Sequence, residues 1–212
     1  MIVVFGGTFD PVHSGHVKAA ELLSSLLSET DSKETVSEGS NRSRLLVMPA
    51  FVNPFKVGAV QGASAMQRFE MCSLAFEGIP HCEISDREIS SDTPSYTYDT
   101  LCSLREKHPH ERIGFALGSD TFCEVTGWRN SERLIKGFEI FTFRRERQFS
   151  FAKKLEEITA MGGRVTVLEN EPVVISSTRI REMIRNREDL HGLIPERVME
   201  YIKEQRLYGY EV

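Results

Sequence analysis

No Cys-x-x-Cys pair occurs in the 212 residues, and Cys72, Cys82, Cys102 and Cys123 stand singly along the chain. That spacing excludes the usual zinc patterns and argues against a disulfide framework, so reduced thiols are expected. No apolar run approaches the roughly 18 residues needed to span a bilayer. Met1–Gly7 carries no basic stretch of the kind that opens a signal peptide. A basic excess is also missing. The formal net charge of −5 argues mildly against a large nucleic-acid footprint, while leaving room for a local basic pocket. The chain shows no internal repeat and no linker that would divide it. The expectation is a cytoplasmic protein with neither nucleic acid nor membrane as partner; homo-oligomerisation is left open.

What is present suits a folded domain. Hydrophobic residues make up 40% of the chain and charged residues 27%, which is ordinary for a globular protein. The length supports one sizeable core, hence a single domain over 1–212. Short β-branched runs alternate with segments of helical period. Strands are expected at Ile2–Phe5, Leu45–Met48, Cys82–Ser85, Ile113–Leu117, Phe138–Phe143 and Arg164–Leu168. Helices are expected at His16–Ser28, Ala65–Phe76, Tyr98–Lys107, Phe151–Met161, Arg179–Arg187 and Pro195–Gln205, making the part from 176 to 206 helical. That alternation implies an α/β fold: a Rossmann-like, open, mostly parallel sheet with helices on both faces. Glu29–Ser43 holds a single apolar residue, Val36, and reads as a mobile surface loop.

Val4–His16, VFGGTFDPVHSGH, is the most informative stretch. Gly6-Gly7 follows a strand, at the edge where open α/β sheets bind ligands. The glycines let the backbone approach a ligand, and the following helix offers unpaired N–H groups to an anion. Ser14 is a plausible N-cap, which places His16 in the first helical turn. Phosphate is the expected guest. The third glycine of a dinucleotide fingerprint and the Gly-Lys-Ser/Thr of a P-loop are both missing. A metal-binding histidine pair is weak, because Pro11 keeps the preceding residues out of a helix and no Glu or Cys falls at a useful spacing. A plain turn would explain the glycines but not the two histidines.

Ile175–Glu182, ISSTRIRE, is the second stretch. Read blandly, it is a capped surface helix. Helix geometry puts Thr178 and Arg181 on one face, turns Arg179 away, and buries Ile180 with Ile184. A hydroxyl and a guanidinium near a helix N-terminus suit a polyphosphate.

Gly6–His16 resembles the signature of the nucleotidylyltransferases that carry an H-x-G-H motif, and Ile175, Ser176 and Arg181 resemble their second signature, I-S-x-x-x-x-R. The resemblance implies that His13, His16 and Arg181 act on the phosphates, with Gly6, Gly7, Thr8, Phe9, Ile175, Ser176 and Thr178 around ATP. Further stretches are similar to one branch, the bacterial nicotinate-nucleotide adenylyltransferases: Met48–Lys56, Pro94–Leu101, Leu117–Trp128 and Ile194–Tyr208. From these the resemblance places Lys56, Thr97, Asp120, Trp128, Arg129 and Arg145 at the acceptor mononucleotide. Arg144-Arg145 stands where that branch usually has an R-P-G turn, which leaves the phosphate-binding arginine between the two. Each has a bland reading as well: a core tryptophan, a helix-capping Asp120, a solvated Lys56.

The implied reaction joins ATP and nicotinate mononucleotide to give deamido-NAD and pyrophosphate, with Mg²⁺ carried on the phosphates. The attacking phosphate oxygen is already ionised at neutral pH, the second pKa being about 6, so no general base is needed. Transfer to another phosphate, as in pantetheine-phosphate adenylyltransferases or cytidylyltransferases, is the nearest rival. A nucleotide-sensing regulator that binds without turnover is the rival from outside the enzymes.

Overall fold

The computed structural model describes residues 1–33, 42–50, 62–90, 96–147 and 149–210. Six strands form one sheet: β1 (Ile2–Gly7), β2 (Arg44–Pro49), β3 (Cys82–Ile84), β4 (Ile113–Gly118), β5 (Glu139–Phe143) and β6 (Arg164–Leu168). Their order is β3-β2-β1-β4-β5-β6, and every neighbouring pair is parallel. The helices are α1 (Ser14–Lys33), α2 (Ala65–Phe76), α3 (Thr97–Lys107), α4 (Ser119–Glu124), α5 (Ser131–Gly137), α6 (Ala152–Ala160), α7 (Ser177–Arg185) and α8 (Glu196–Glu204). Short 3-10 turns lie at Val125–Gly127 and Leu207–Gly209.

Strand alternation divides the core in two. Val3, Phe5, Leu45 and Val47 face one side, where they pack with Leu23 and Leu27 of α1, Met71 of α2, Ile180 of α7 and Ile202 of α8. Ile2, Val4, Leu46 and Phe115 face the other, against Leu101 of α3, Phe122 of α4, Ile135 of α5 and Ile158 of α6. Fully burying one such Leu or Ile is worth about 1.5–3 kcal/mol, so each helix is fastened by its apolar stripe. Helices cover both faces, as expected. α2 opens with a capping box: Ser64 Oγ accepts from Gln67 N–H, and Gln67 Oε1 accepts from Ser64 N–H.

Two expectations are corrected. α1 does not stop at Ser28 but continues to Lys33. The polar extension holds through local bonds: Thr30 and Ser32 hydroxyls donate to Leu26 and Ser28 carbonyls, and Lys33 pairs with Glu29 at 3.6 Å. Asp31 then accepts from the Ser43 N–H at 3.0 Å and the Ser43 hydroxyl at 2.5 Å, tying the helix end to the start of β2. Residues 34–41, the rest of the loop expected there, lie outside the described residues. The second correction is α4 and α5, six and seven residues long, which the periodicity did not reveal. Among the described residues no helix is long and apolar enough to cross a membrane.

Candidate active site

The chain leaves β1 toward β2 on one side and β4 toward β5 on the other. This reversal opens a crevice beyond the carboxyl ends of β1 and β4. A cavity of about 770 Å³ lies there, within the usual range for small-molecule sites.

Its floor is the turn after β1. Phe9 takes a left-handed backbone, φ 50°, and folds its ring under Gly7. A Cβ on Gly7 would stand 2.9 Å from that ring, so only glycine fits. The other edge of Phe9 meets the His16 ring, with centroids 4.9 Å apart at 71°. His13 and His16 stack at 3.7 Å and 22°. The His13 backbone N–H donates to His16 Nδ1 at 3.2 Å, which assigns the His16 proton to Nε2. A Cβ on Gly15 would meet the His13 ring at 3.1 Å, so the glycine between the histidines makes room for the stack.

Both imidazoles are held neutral. Burial, and then the Arg145 charge, push His13 down to about 3. Burial, then His13 and Arg145, push His16 well below its usual range. His13 is 2% exposed, and neither of its ring nitrogens has a hydrogen-bond partner in the protein. A buried imidazole without a partner is costly unless a ligand supplies one. His16 lies in the first turn of α1, as expected, but Ser14 is not the N-cap. The His13 carbonyl accepts the first helical bonds, from His16 and Val17, while Ser14 N–H and Oγ both donate to the Leu193 carbonyl at 2.9 and 3.0 Å.

The second signature stands beside this floor. Ser176 caps α7 by accepting from Arg179 N–H, and the Ser177 hydroxyl donates to the Pro11 carbonyl at 2.9 Å. Ser176 and Thr178 line the cavity; Ile175 and Arg181 do not. Arg181 meets Thr178 Oγ1 at 3.3 Å, as the shared face requires, but its other nitrogen donates to the Asp10 carbonyl at 2.6 Å. The guanidinium reaches the histidine loop from behind. Arg179 is turned away, onto Glu188 and Glu182. Ile180 and Ile184 are buried, as expected.

Thr97, Asp120, Trp128, Arg129 and Arg145 also line the cavity. Asp120 sits in the first turn of α4, whose cap is Gly118. Arg145 donates to Asp120 Oδ2 at 2.9 Å and to the Ile175 carbonyl at 3.1 Å, and its backbone N–H donates to Ser119 Oγ at 3.0 Å. The preceding Arg144 turns its guanidinium to the Phe151 ring, 6.0 Å from the centroid. Its backbone is clasped by the Asn170 amide, at 2.8 and 3.0 Å. Trp128 is half-buried, with its ring 6.4 Å from Phe115. Arg129 lies over the Tyr96 ring at 4.5 Å and 3.7 Å from Asp99. The backbone N–H of Trp128 is already given to the Val125 carbonyl. Lys56 lies outside the described residues.

Asp10, Arg68 and Tyr208 were not singled out by sequence. Asp10 is 4% exposed and Arg68 0%: Asp10 ties the histidine loop to Ala63 at the start of α2, and Arg68 donates to the Thr8 carbonyl of that loop. A signal for Arg68 exists. It shares the buried stripe of α2 with Met71, Cys72 and Phe76, where a charge requires a partner.

Residues 4–183 match the cytidylyltransferase-like family. A probable nicotinate-nucleotide adenylyltransferase of Caldicellulosiruptor saccharolyticus is 34% identical over 209 residues, covering 98% of each chain. One from Hydrogenobaculum sp. is 32% identical over 208 residues, again covering 98% of each. The fold is similar to that of the Plasmodium falciparum nicotinic acid mononucleotide adenylyltransferase complexed with NaAD, at TM-score 0.76 and 20% identity, over 99% of this chain and 98% of that one. The chain belongs to the cytidylyltransferase-like family and, within it, to the nicotinate-nucleotide adenylyltransferases.

Proposed function

We propose that the cavity transfers the adenylyl group of ATP to nicotinate mononucleotide, giving deamido-NAD and pyrophosphate. The observation that carries this reading is the stacked pair of neutral imidazoles at the end of β1, His13 buried and His16 half-buried, with both His13 ring nitrogens unpartnered beside a glycine floor. The mononucleotide phosphate oxygen attacks the α-phosphorus of ATP, the bond from that phosphorus to the bridging oxygen breaks, and pyrophosphate leaves with the electron pair. No base is required, because the attacking phosphate is already ionised. The protein aligns the two phosphates and donates to charge that grows on the transferring group. His16 Nε2–H and His13 serve as those donors; being neutral, they need no proton transfer to act. Gly6 and Gly7 let the nucleotide lie against the backbone, and Thr8, Ser176 and Thr178 add polar contacts. Arg181 braces the loop through the Asp10 carbonyl.

At the other end Arg145 takes the acceptor phosphate, Asp120 a ribose hydroxyl, and Trp128 the pyridine ring. Thr97 and Arg129 offer donors to the nicotinate carboxylate. A carboxylate accepts only, whereas an amide also needs an acceptor for its NH₂. Among the described residues no group of three His, Cys, Asp or Glu side chains is placed to hold a metal ion. Mg²⁺ would arrive on the triphosphate and would there neutralise phosphate charge. A cytoplasmic setting fits these substrates.

A screen of ATP with several acceptors, read by pyrophosphate release and product mass, tests the reading. Nicotinate mononucleotide is expected to exceed the nicotinamide form by about a hundredfold in kcat/KM, from one unpaired amide and lost charge-assisted bonds. Turnover with pantetheine phosphate or a CTP-dependent acceptor instead would overturn it.

A further inference from the structure

Asp10 is 4% exposed, yet lies in the loop that carries both histidines. Its carboxylate accepts from the Gly62 N–H at 2.9 Å, the Ala63 N–H at 3.1 Å and the Tyr208 hydroxyl at 2.8 Å. Gly62 and Ala63 lead into α2, whereas Tyr208 stands 198 positions after Asp10. It belongs to the closing 3-10 turn, has a left-handed φ of 61°, and is 7% exposed. Burial and the Asp10 charge push its hydroxyl far up from the usual phenol range, so it remains a donor at working pH.

A buried carboxylate is tolerated only while its lone pairs are met. Removing one donor would draw Asp10 toward those that remain, the two backbone N–H groups and the Arg181 guanidinium 3.8 Å from Oδ2. Asp10 is bonded in sequence to Phe9, whose ring supports both Gly7 and His16. His13 follows three residues later. Shifts on the order of 1 Å at a reacting centre cost up to about 10²-fold in rate.

We propose that the Tyr208 hydroxyl is a positioning residue for the transfer: through Asp10 it fixes the His13–His16 pair without touching either nucleotide. It does not line the cavity. This rests on the adenylyl-transfer reading above. Y208F keeps the ring and removes the donor. Its kcat should fall about five- to thirtyfold, below the ceiling for a misplaced centre, with both KM values within about twofold. I158V, in the core on the other face of the sheet, serves as a Tm-matched control and should keep its kcat. D10N should be slower than wild type, and Y208F/D10N no slower than D10N, because both act through one contact. In Y208F the imidazole ¹⁵N resonances of His13 and His16 should move, and in I158V they should not. A Y208F kcat within twofold of wild type, an equal loss in I158V, or losses that multiply in the double variant would overturn the proposal. If the wild-type chain releases no pyrophosphate, the adenylyl-transfer reading fails. The imidazole spectra then decide the positioning role alone: shifted resonances support it and unchanged ones overturn it.

Discussion

At the histidine end of the cavity, Phe9, Asp10 and His13 are at most 4% exposed, and bonds reach their loop from α2, α7 and the closing turn. At the acceptor end, the Asp120 and Arg129 side chains keep 47% and 57% exposure, Asp120 paired with Arg145 and Arg129 with Asp99 beside the Tyr96 ring. The first end is built so that donors stand ready before charge develops, which is where preorganisation lowers a barrier. The second is built of groups that exchange partners at small cost, since exposed pairs are worth only about 0–1 kcal/mol. The rate is therefore expected to depend on the first and acceptor binding on the second.

The largest effect should come from the rigid end. His16→Ala is expected to lower kcat by about 10²–10³, as for loss of one preorganised donor, with the KM for ATP changing far less. Steady-state kinetics check this, and a variant keeping more than half the wild-type kcat would break the comparison. Next comes Arg145→Ala, which removes the charged donor proposed for the acceptor phosphate. Such bonds are worth about 1.5–3 kcal/mol, so the KM for mononucleotide should rise at least about tenfold while the KM for ATP holds. A kcat loss without a KM change would place Arg145 at the rigid end instead.

Much of this was legible in the sequence, for physical reasons that differ by element. All six strands appear near the expected positions. The inner four, β2, β1, β4 and β5, are largely buried and therefore apolar on both faces, whereas the edge strands β3 and β6 are only partly buried. The Thr178–Arg181 face and the Ile180–Ile184 stripe follow from helix geometry alone. The short α4 and α5 did not show, since six or seven residues span too few turns to set a period. The Asp10–Tyr208 contact was equally hidden: a separation of 198 positions leaves no local pattern. Trp128 had no apolar neighbour within two residues, yet Phe115 of β4 supplies one. The sequence left Arg144 and Arg145 open, and the different bonding of their side chains, Arg144 toward Phe151 and Arg145 to Asp120, has no local signature.

A smaller effect concerns stability. His13 has its pKa lowered to about 3 from 6.5 in the folded chain. Between those values the unfolded chain binds a proton that the folded chain refuses. The stability is thus complete above about pH 6.5 and is lost as pH falls through that value, at about 1.4 kcal/mol per unit. Urea unfolding should show a loss of about 2 kcal/mol between pH 7 and 5 from His13. The slope should flatten in His13→Gln; an unchanged slope would remove this imidazole from the account. The smallest effect belongs to Asp99→Ala. Its pairing with Arg129 is exposed on both sides, so Tm should stay within about 3 °C, the shift expected for well under 1 kcal/mol. A larger drop would show that the acceptor end is not loosely held.

The most direct test of the central claim is ³¹P NMR of a mixture of ATP, nicotinate mononucleotide, Mg²⁺ and the protein. The account predicts that the ATP α-phosphorus and the mononucleotide monoester signals decay together, replaced one for one by a pyrophosphate diester and free pyrophosphate. Decay of ATP while the mononucleotide signal persists, or no decay of either, would contradict it.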